Sequence, residues 1–204
     1  MKWAELADED TVKRTSEALK ARGVQVEFLQ NRQDALKRLL DLIPHGAEVM
    51  TGSSTTLQEI GFVDLLKSGN HPWKNLKEAI AKEKDPTKQM ILRKKSITSE
   101  YFLGSVHAVS QAGEVITASN TGSQLPSYAY SSNNVVWVVG VQKIVLNLTE
   151  GLQRIREYCL PLEDNRMKQT GLKGSAIGKI LIFERETLPN RRITLIFVNE
   201  KLGF

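Results

Sequence analysis

The feature that most constrains this chain is the run Val-Val-Trp-Val-Val-Gly at residues 135–140, which places apolar side chains on both faces of any strand it forms. Such a strand has to be covered on both sides, the situation of a parallel sheet packed between layers. Gln142 and Lys143 follow at once, at the strand end where open α/β sheets build their sites. Upstream, residues 114–118 form a second strand-like run, and the two runs bracket the polar loop Ser119-Asn120-Thr121-Gly122-Ser123-Gln124. That loop is too polar for a core and is read as a ligand loop.

The preceding chain alternates. Residues 5–22 read as a helix stopped at Gly23, residues 24–29 as a strand, and residues 32–43 as a helix capped by Asn31 with Leu36, Leu39, Leu40 and Ile43 on one stripe. A short strand at 47–50 runs into the hydroxyl-rich loop at 51–56, with a helical register after it, and residues 101–105 supply a further strand. This order predicts an α/β fold with a mostly parallel, Rossmann-like sheet and helices on both faces. The two last runs, 179–185 and 193–199, are expected as an antiparallel pair on a sheet edge. One domain over residues 1–204 is expected, with a helical basic segment at about 62–100.

Composition narrows the class. Residues 74–95 hold eight Lys or Arg against three acids, which accounts for the net charge of +5. No aromatic residue interleaves the lysines, so a solvated face is expected there and no nucleic-acid partner. The single Cys159 excludes a disulfide framework and a cysteine-ligated metal or iron–sulfur site within one chain, and it fits a reducing cytoplasm. No run reaches the roughly 18 apolar residues of a membrane span, and His45, His71 and His107 lack metal-ligand spacing. No metal and no membrane partner are expected.

Two loops and two side chains carry the candidate chemistry. Gly52, Ser53, Ser54 and Thr55 lie where amides at a helix start and several hydroxyls converge on a phosphate or carboxylate, although plain helix capping by Ser54, Thr55 or Thr56 also explains them. Thr121, Gly122, Ser123 and Gln124 form the second loop. Glu114 is a candidate general base or an exposed charge at a strand start, and Lys143 is a candidate for anion pairing or proton transfer. Leu148, Leu152, Ile155 and Cys159 make a helical stripe that sets Cys159 in the core and Arg154 and Arg156 off it, toward solvent or an anion. Residues 161–170 read as a polar excursion.

The segments GSSTTLQEIG at 52–61, HAVSQAGEVITASNTGSQLP at 107–126, VVWVVGVQKIV at 135–145, RIREYCLPLED at 154–164 and the closing KILIFERE and LGF together resemble the LUD domain of lactate utilization proteins. The resemblance implies the fold shared by glucosamine-6-phosphate deaminase, ribose-5-phosphate isomerase and CoA transferases. It implies that the loops at 52–56 and 121–124 hold a small anionic ligand, a carboxylate, phosphate or CoA ester. It also implies L-lactate oxidation beside an iron–sulfur oxidoreductase subunit that carries the cluster and, by analogy with the fold, a homodimer. Gln111 stands in the turn where a related CoA transferase turn has its glutamate nucleophile, and an amide cannot attack a thioester as a carboxylate does. Three readings stay open: a component of a lactate or 2-hydroxy-acid system, a stand-alone sugar-phosphate or acyl-CoA isomerase or transferase, and a non-catalytic ligand-sensing or interaction module.

Overall fold

The computed structural model describes residues 2–204. Asp8 opens helix α1 (Glu9–Ala21) by accepting from Thr11 N at 2.7 Å, and strand β1 (Gln25–Leu29) follows. Asn31 caps α2 (Arg32–Leu42) through Asp34 N at 2.9 Å. After β2 (Glu48–Thr51) come α3 (Thr55–Glu59), α4 (Phe62–Ser68), the two-residue β3 (Lys74–Asn75), α5 (Leu76–Lys82) and α6 (Pro86–Lys95). Strands β4 (Tyr101–Gly104), β5 (Ala108–Ser110), β6 (Val115–Ser119), β7 (Asn134–Gly140) and β8 (Ile144–Val145) precede α7 (Leu148–Arg154) and α8 (Leu160–Gln169), and β9 (Lys179–Phe183) and β10 (Arg192–Val198) complete the set.

Six strands in the order β1-β10-β7-β4-β2-β3 form one wholly parallel sheet. β7 lies inside it, as the two-sided apolar run requires, and Val135 to Val139 are all fully buried. Alternate residues serve opposite faces. Val136 and Val138 pack with Leu39, Leu57, Phe62 and Ile196 under α2–α4, whereas Val135, Trp137 and Val139 pack with Val12 and Leu19 of α1 and with Val109, Val115 and Phe183.

Those last three residues belong to a second sheet, β8-β5-β6-β9, in which β6 runs antiparallel to both β5 and β9. Helices therefore lie on both faces of the large sheet, but the α1 face is shared with a small sheet that local periodicity did not reveal. Edge-to-face contacts run Phe102–Tyr128–Trp137–Phe183 with centroids 5.6, 5.5 and 5.3 Å apart and join the two sheets. The outer face of the small sheet is closed by α7, where Ala108, Ile116, Val145 and Ile155 form a third cluster.

Two expectations are corrected. β9 is an antiparallel edge strand, but of the small sheet, and β10 pairs in parallel with β1 and β7 instead of forming a hairpin with β9. Residues 161–170 are not an irregular excursion: a π-helical turn, Ile155–Cys159, carries α7 into α8 with Pro161 in the first turn of α8, where its missing N–H does no harm. The runs at 114–118 and 135–140 lie in different sheets, so the loop between them crosses from one sheet to the other.

The loop between β9 and β10 is tied down by a buried ion pair. Arg191 meets Glu186, with side-chain exposures of 3% and 8%, and donates to the backbone oxygens of Ser127, Tyr128 and Ser132. Removing the carboxylate strands a buried guanidinium. Glu186→Ala is expected to lower the unfolding free energy by about 3–5 kcal/mol, read as a fall in the urea midpoint.

Candidate functional site

The parallel strands all end toward one edge, and the turns that leave them supply the site. Thr56 follows β2, Ser105 follows β4, Gln142 and Lys143 follow β7, and residues 199–204 follow β10. Lys143 is 2% exposed, and its Nζ is held 3.1 Å from Thr56 Oγ1 and 3.1 Å from Ser105 Oγ. Neither partner is a carboxylate. Burial, and secondly the charge of Arg154, bring its pKa down to about 7, against smaller upward pulls from Cys159 and Glu59.

Arg154 comes from the other sheet's helix layer. Its side chain is fully buried: Nη1 donates to the His107 carbonyl and lies 3.0 Å from Cys159 Sγ, and the guanidinium carbon sits 5.1 Å from the centre of the Tyr158 ring. Nε and Nη2 have no hydrogen-bond partner among the described residues. Burial lowers the Arg154 pKa and raises that of the Cys159 thiol. Arg154 was expected off the apolar stripe and facing solvent or an anion; it does not face solvent and points into the protein. The buried face of this helix is Gly151, Arg154, Ile155, Tyr158 and Cys159, a regular i, i+3, i+4 pattern that Gly151 disguised. A Cβ on Gly151 would stand 2.2 Å from Ile116 Cδ1, so the glycine lets the helix sit down on the small sheet.

His107 completes the cluster as a neutral group. Its Nδ1 accepts from Ala118 N at 3.2 Å, and burial together with Lys143 and Arg154 pushes its pKa down to about 3. Two basic side chains and a neutral imidazole are thus buried close together, an arrangement suited to holding an anion.

The two candidate loops meet. A Cβ on Gly52 would lie 3.5 Å from Gln124 Cβ, so the loops at 52–56 and 121–124 adjoin there. Ser54 caps α3 through Leu57 N at 3.2 Å, Thr55 is half-buried and Ser53 is exposed. In the second loop Gln124 Oε1 accepts from Ser119 Oγ at 3.1 Å, Gly122 N donates to the same hydroxyl at 2.9 Å, and Thr121 Oγ1 lies 3.3 Å from Ser123 Oγ. Lys77, exposed along its stem, brings Nζ to Gly52 O at 3.3 Å and Thr51 Oγ1 at 3.4 Å, and burial of the amine lowers its pKa. Glu114 is engaged elsewhere: it takes the Ser110 hydroxyl and faces Arg22 at 3.5 Å, at the hairpin turn that Gly113 makes with φ +94°. The structure therefore joins Lys143 to the first loop through Thr56, joins that loop to the second at Gln124, and binds Glu114 to α1. Among the described residues no three His, Cys, Asp or Glu side chains gather to ligate a metal.

The LUD domain model matches residues 12–198. The chain belongs to the LUD domain family. No curated protein sequence matches it. Among solved structures, a crystal structure of a DUF162 family protein from Deinococcus radiodurans is similar over 96% of this chain and 100% of that one, with a TM-score of 0.58 and 9% identity, a likeness of fold. The matched span of this LUD protein takes in every residue of the cation cluster and both loops.

Titration of the cluster gives a signed expectation. Below pH 7 Lys143 is charged in both states and the folded chain carries the whole desolvation cost; from about 7 to 10.5 the unfolded chain retains a proton that the folded chain has lost, so stability rises with pH. For His107, stability falls as pH drops from 6.5 to about 3, because the unfolded imidazole takes up a proton and the folded one does not. Lys143→Met is expected to be more stable than the parent by about 1–3 kcal/mol at pH 7, with the gap closing toward pH 10, in urea titrations at the two pH values.

Proposed function

We propose that this LUD protein serves an L-lactate, or related 2-hydroxy-acid, utilization system beside an iron–sulfur partner, and that the Lys143–Arg154 cluster receives the substrate carboxylate. The observation that carries this reading is that, among the described residues, both cations are buried without a carboxylate partner and Arg154 Nε and Nη2 have no hydrogen-bond partner. Two adjacent guanidinium donors match the two oxygens of a carboxylate. Thr56 and Ser105, already 3.1 Å from the amine, offer hydrogen bonds to a 2-hydroxyl. With its pKa brought down to about 7, Lys143 also exists as the neutral amine, the form able to take up a hydroxyl proton while Arg154 holds the carboxylate. The loops at 52–56 and 121–124 would form the mouth.

Among the described residues one buried cysteine and no gathered ligand set are available to an iron–sulfur cluster, so on this reading the partner carries the cluster and the electron transfer. A second reading, ligand binding without turnover, draws support from Glu114: with that carboxylate committed to Ser110 and Arg22, a proton-transfer enzyme working through Glu114 on a sugar phosphate or acyl-CoA has no observation in its favour.

The test is a thermal-shift series with L-lactate, pyruvate, sugar phosphates and acyl-CoAs. At a hundredfold excess over Kd a ligand of the folded state adds about 2.7 kcal/mol and moves the midpoint by about 5 °C or more. A shift with L-lactate or pyruvate that disappears in Lys143→Ala and in Arg154→Met is the expected result, together with loss of growth on L-lactate when the gene is deleted. A shift with phosphates or CoA esters alone, with normal growth on lactate, would sink the reading.

A further inference from the structure

The Lys143 end of the cluster is closed, and the segment after β10 closes it. Leu202 is fully buried in the core cluster under α2–α4, and its carbonyl oxygen accepts from Gln142 Nε2 at 2.8 Å and from Thr56 Oγ1 at 3.4 Å. Gly203 N donates to Glu59 Oε2 at 2.6 Å. Gly203 takes φ +61° and lies so close that a Cβ would stand 2.5 Å from Thr56 Oγ1 and 3.3 Å from Lys143 Nζ. The end of β7 is shaped for the same segment: a Cβ on Gly140 would meet Glu200 O at 2.5 Å and Leu202 N at 2.8 Å. The open grooves of the surface are lined by other residues, around Tyr130, Leu188 and Arg191.

We infer that Leu202 and Gly203 form an autoinhibitory strap: the Leu202 carbonyl oxygen holds the place of a ligand oxygen against Thr56 and Gln142, and the strap withdraws before a small carboxylate reaches Lys143 and Arg154. The inference rests on the reading of the cluster as a carboxylate site. The strap's polar contacts to the site are all to side chains, Gln142, Thr56 and Glu59, and each can be exchanged for the same group on a ligand or for water. The closed strap then raises the apparent dissociation constant by the inverse of the open fraction. It also explains how Lys143 can meet a solute while standing almost wholly out of solvent.

Two variants open the strap by different contacts. Gly203→Ala places a methyl group against the Thr56 hydroxyl at a positive φ, and Glu59→Ala removes the acceptor of the Gly203 amide. Both are compared with the parent below the onset of their own urea transitions. A short pulse of an N-hydroxysuccinimide ester, read by mass spectrometry at Lys143 against exposed Lys179, reports access without any ligand. Labelling of Lys143 is expected to rise about tenfold in both variants, and the Kd for L-lactate by titration calorimetry to fall by about the same factor. Unchanged labelling in both variants overturns the strap. Increased labelling with weaker lactate binding makes the segment part of the ligand's seat and overturns the competition. Increased labelling with no lactate binding in any of the three proteins upholds the cover and removes the carboxylate reading instead.

Discussion

Two basic side chains, Lys143 and Arg154, stand out of water at one sheet edge, with no carboxylate bonded to them among the described residues. Burying an ion costs several kcal/mol even after the protein relaxes around it, and here the compensation is partial: two hydroxyls for Lys143, a carbonyl, a thiol and an aromatic face for Arg154. The rest of the fold has to supply the difference. It does so with strands β7 and β10, each apolar on both faces, and with core clusters on both sides of the parallel sheet. Burial first, and the two cations after it, keep His107 neutral, so it offers no further charge for a ligand to meet.

The cluster sits where the two sheets join. Lys143, Thr56 and Ser105 come from turns of the parallel sheet, whereas Arg154 comes from the helix that covers the small sheet. Their approach depends on contacts far from the charges. Trp137 bridges the sheets between Tyr128 and Phe183, and Gly151 lets α7 settle against Ile116 at the distance that brings Arg154 Nη1 to the His107 carbonyl. A change in either packing layer would move one cation relative to the other, and a bidentate site tolerates little such movement.

The legible part of this architecture is the part written in local periodicity. Val135–Val139 reads as buried on both faces in sequence and is so in the fold, and Asn31, Asn147 and the 52–56 loop occupy the caps and strand end that their residue types suggest. β10 carries the same two-sided signature, Ile-Thr-Leu-Ile-Phe-Val, but its nearness in sequence to β9 favours a hairpin, and only the non-local pairing with β1 and β7 decides against one. The small sheet escapes because β5 and β8 are three and two residues long, too short for a pattern. Arg154 escapes because a stripe is sought in apolar residues, and its own stripe begins at a glycine. The closing LGF carries family likeness but no pattern that shows its place: only the fold brings Thr56, Gln142 and Glu59 around Leu202 and Gly203.

The energetics argue that the cluster is kept for binding. A methionine and a leucine in place of Lys143 and Arg154 would remove the desolvation penalty, and replacements of this kind leave proteins unchanged or more stable. An arrangement that costs stability and fixes no fold feature of its own has its use in what it contacts. The strap is the corollary. On the proposed reading, the Leu202 carbonyl, which accepts from Gln142 and Thr56 beside Lys143, is a weak, neutral competitor for a ligand oxygen. Selectivity would then come from the sum of contacts a ligand makes on lifting one carbonyl oxygen, more than from the strength of any single charge.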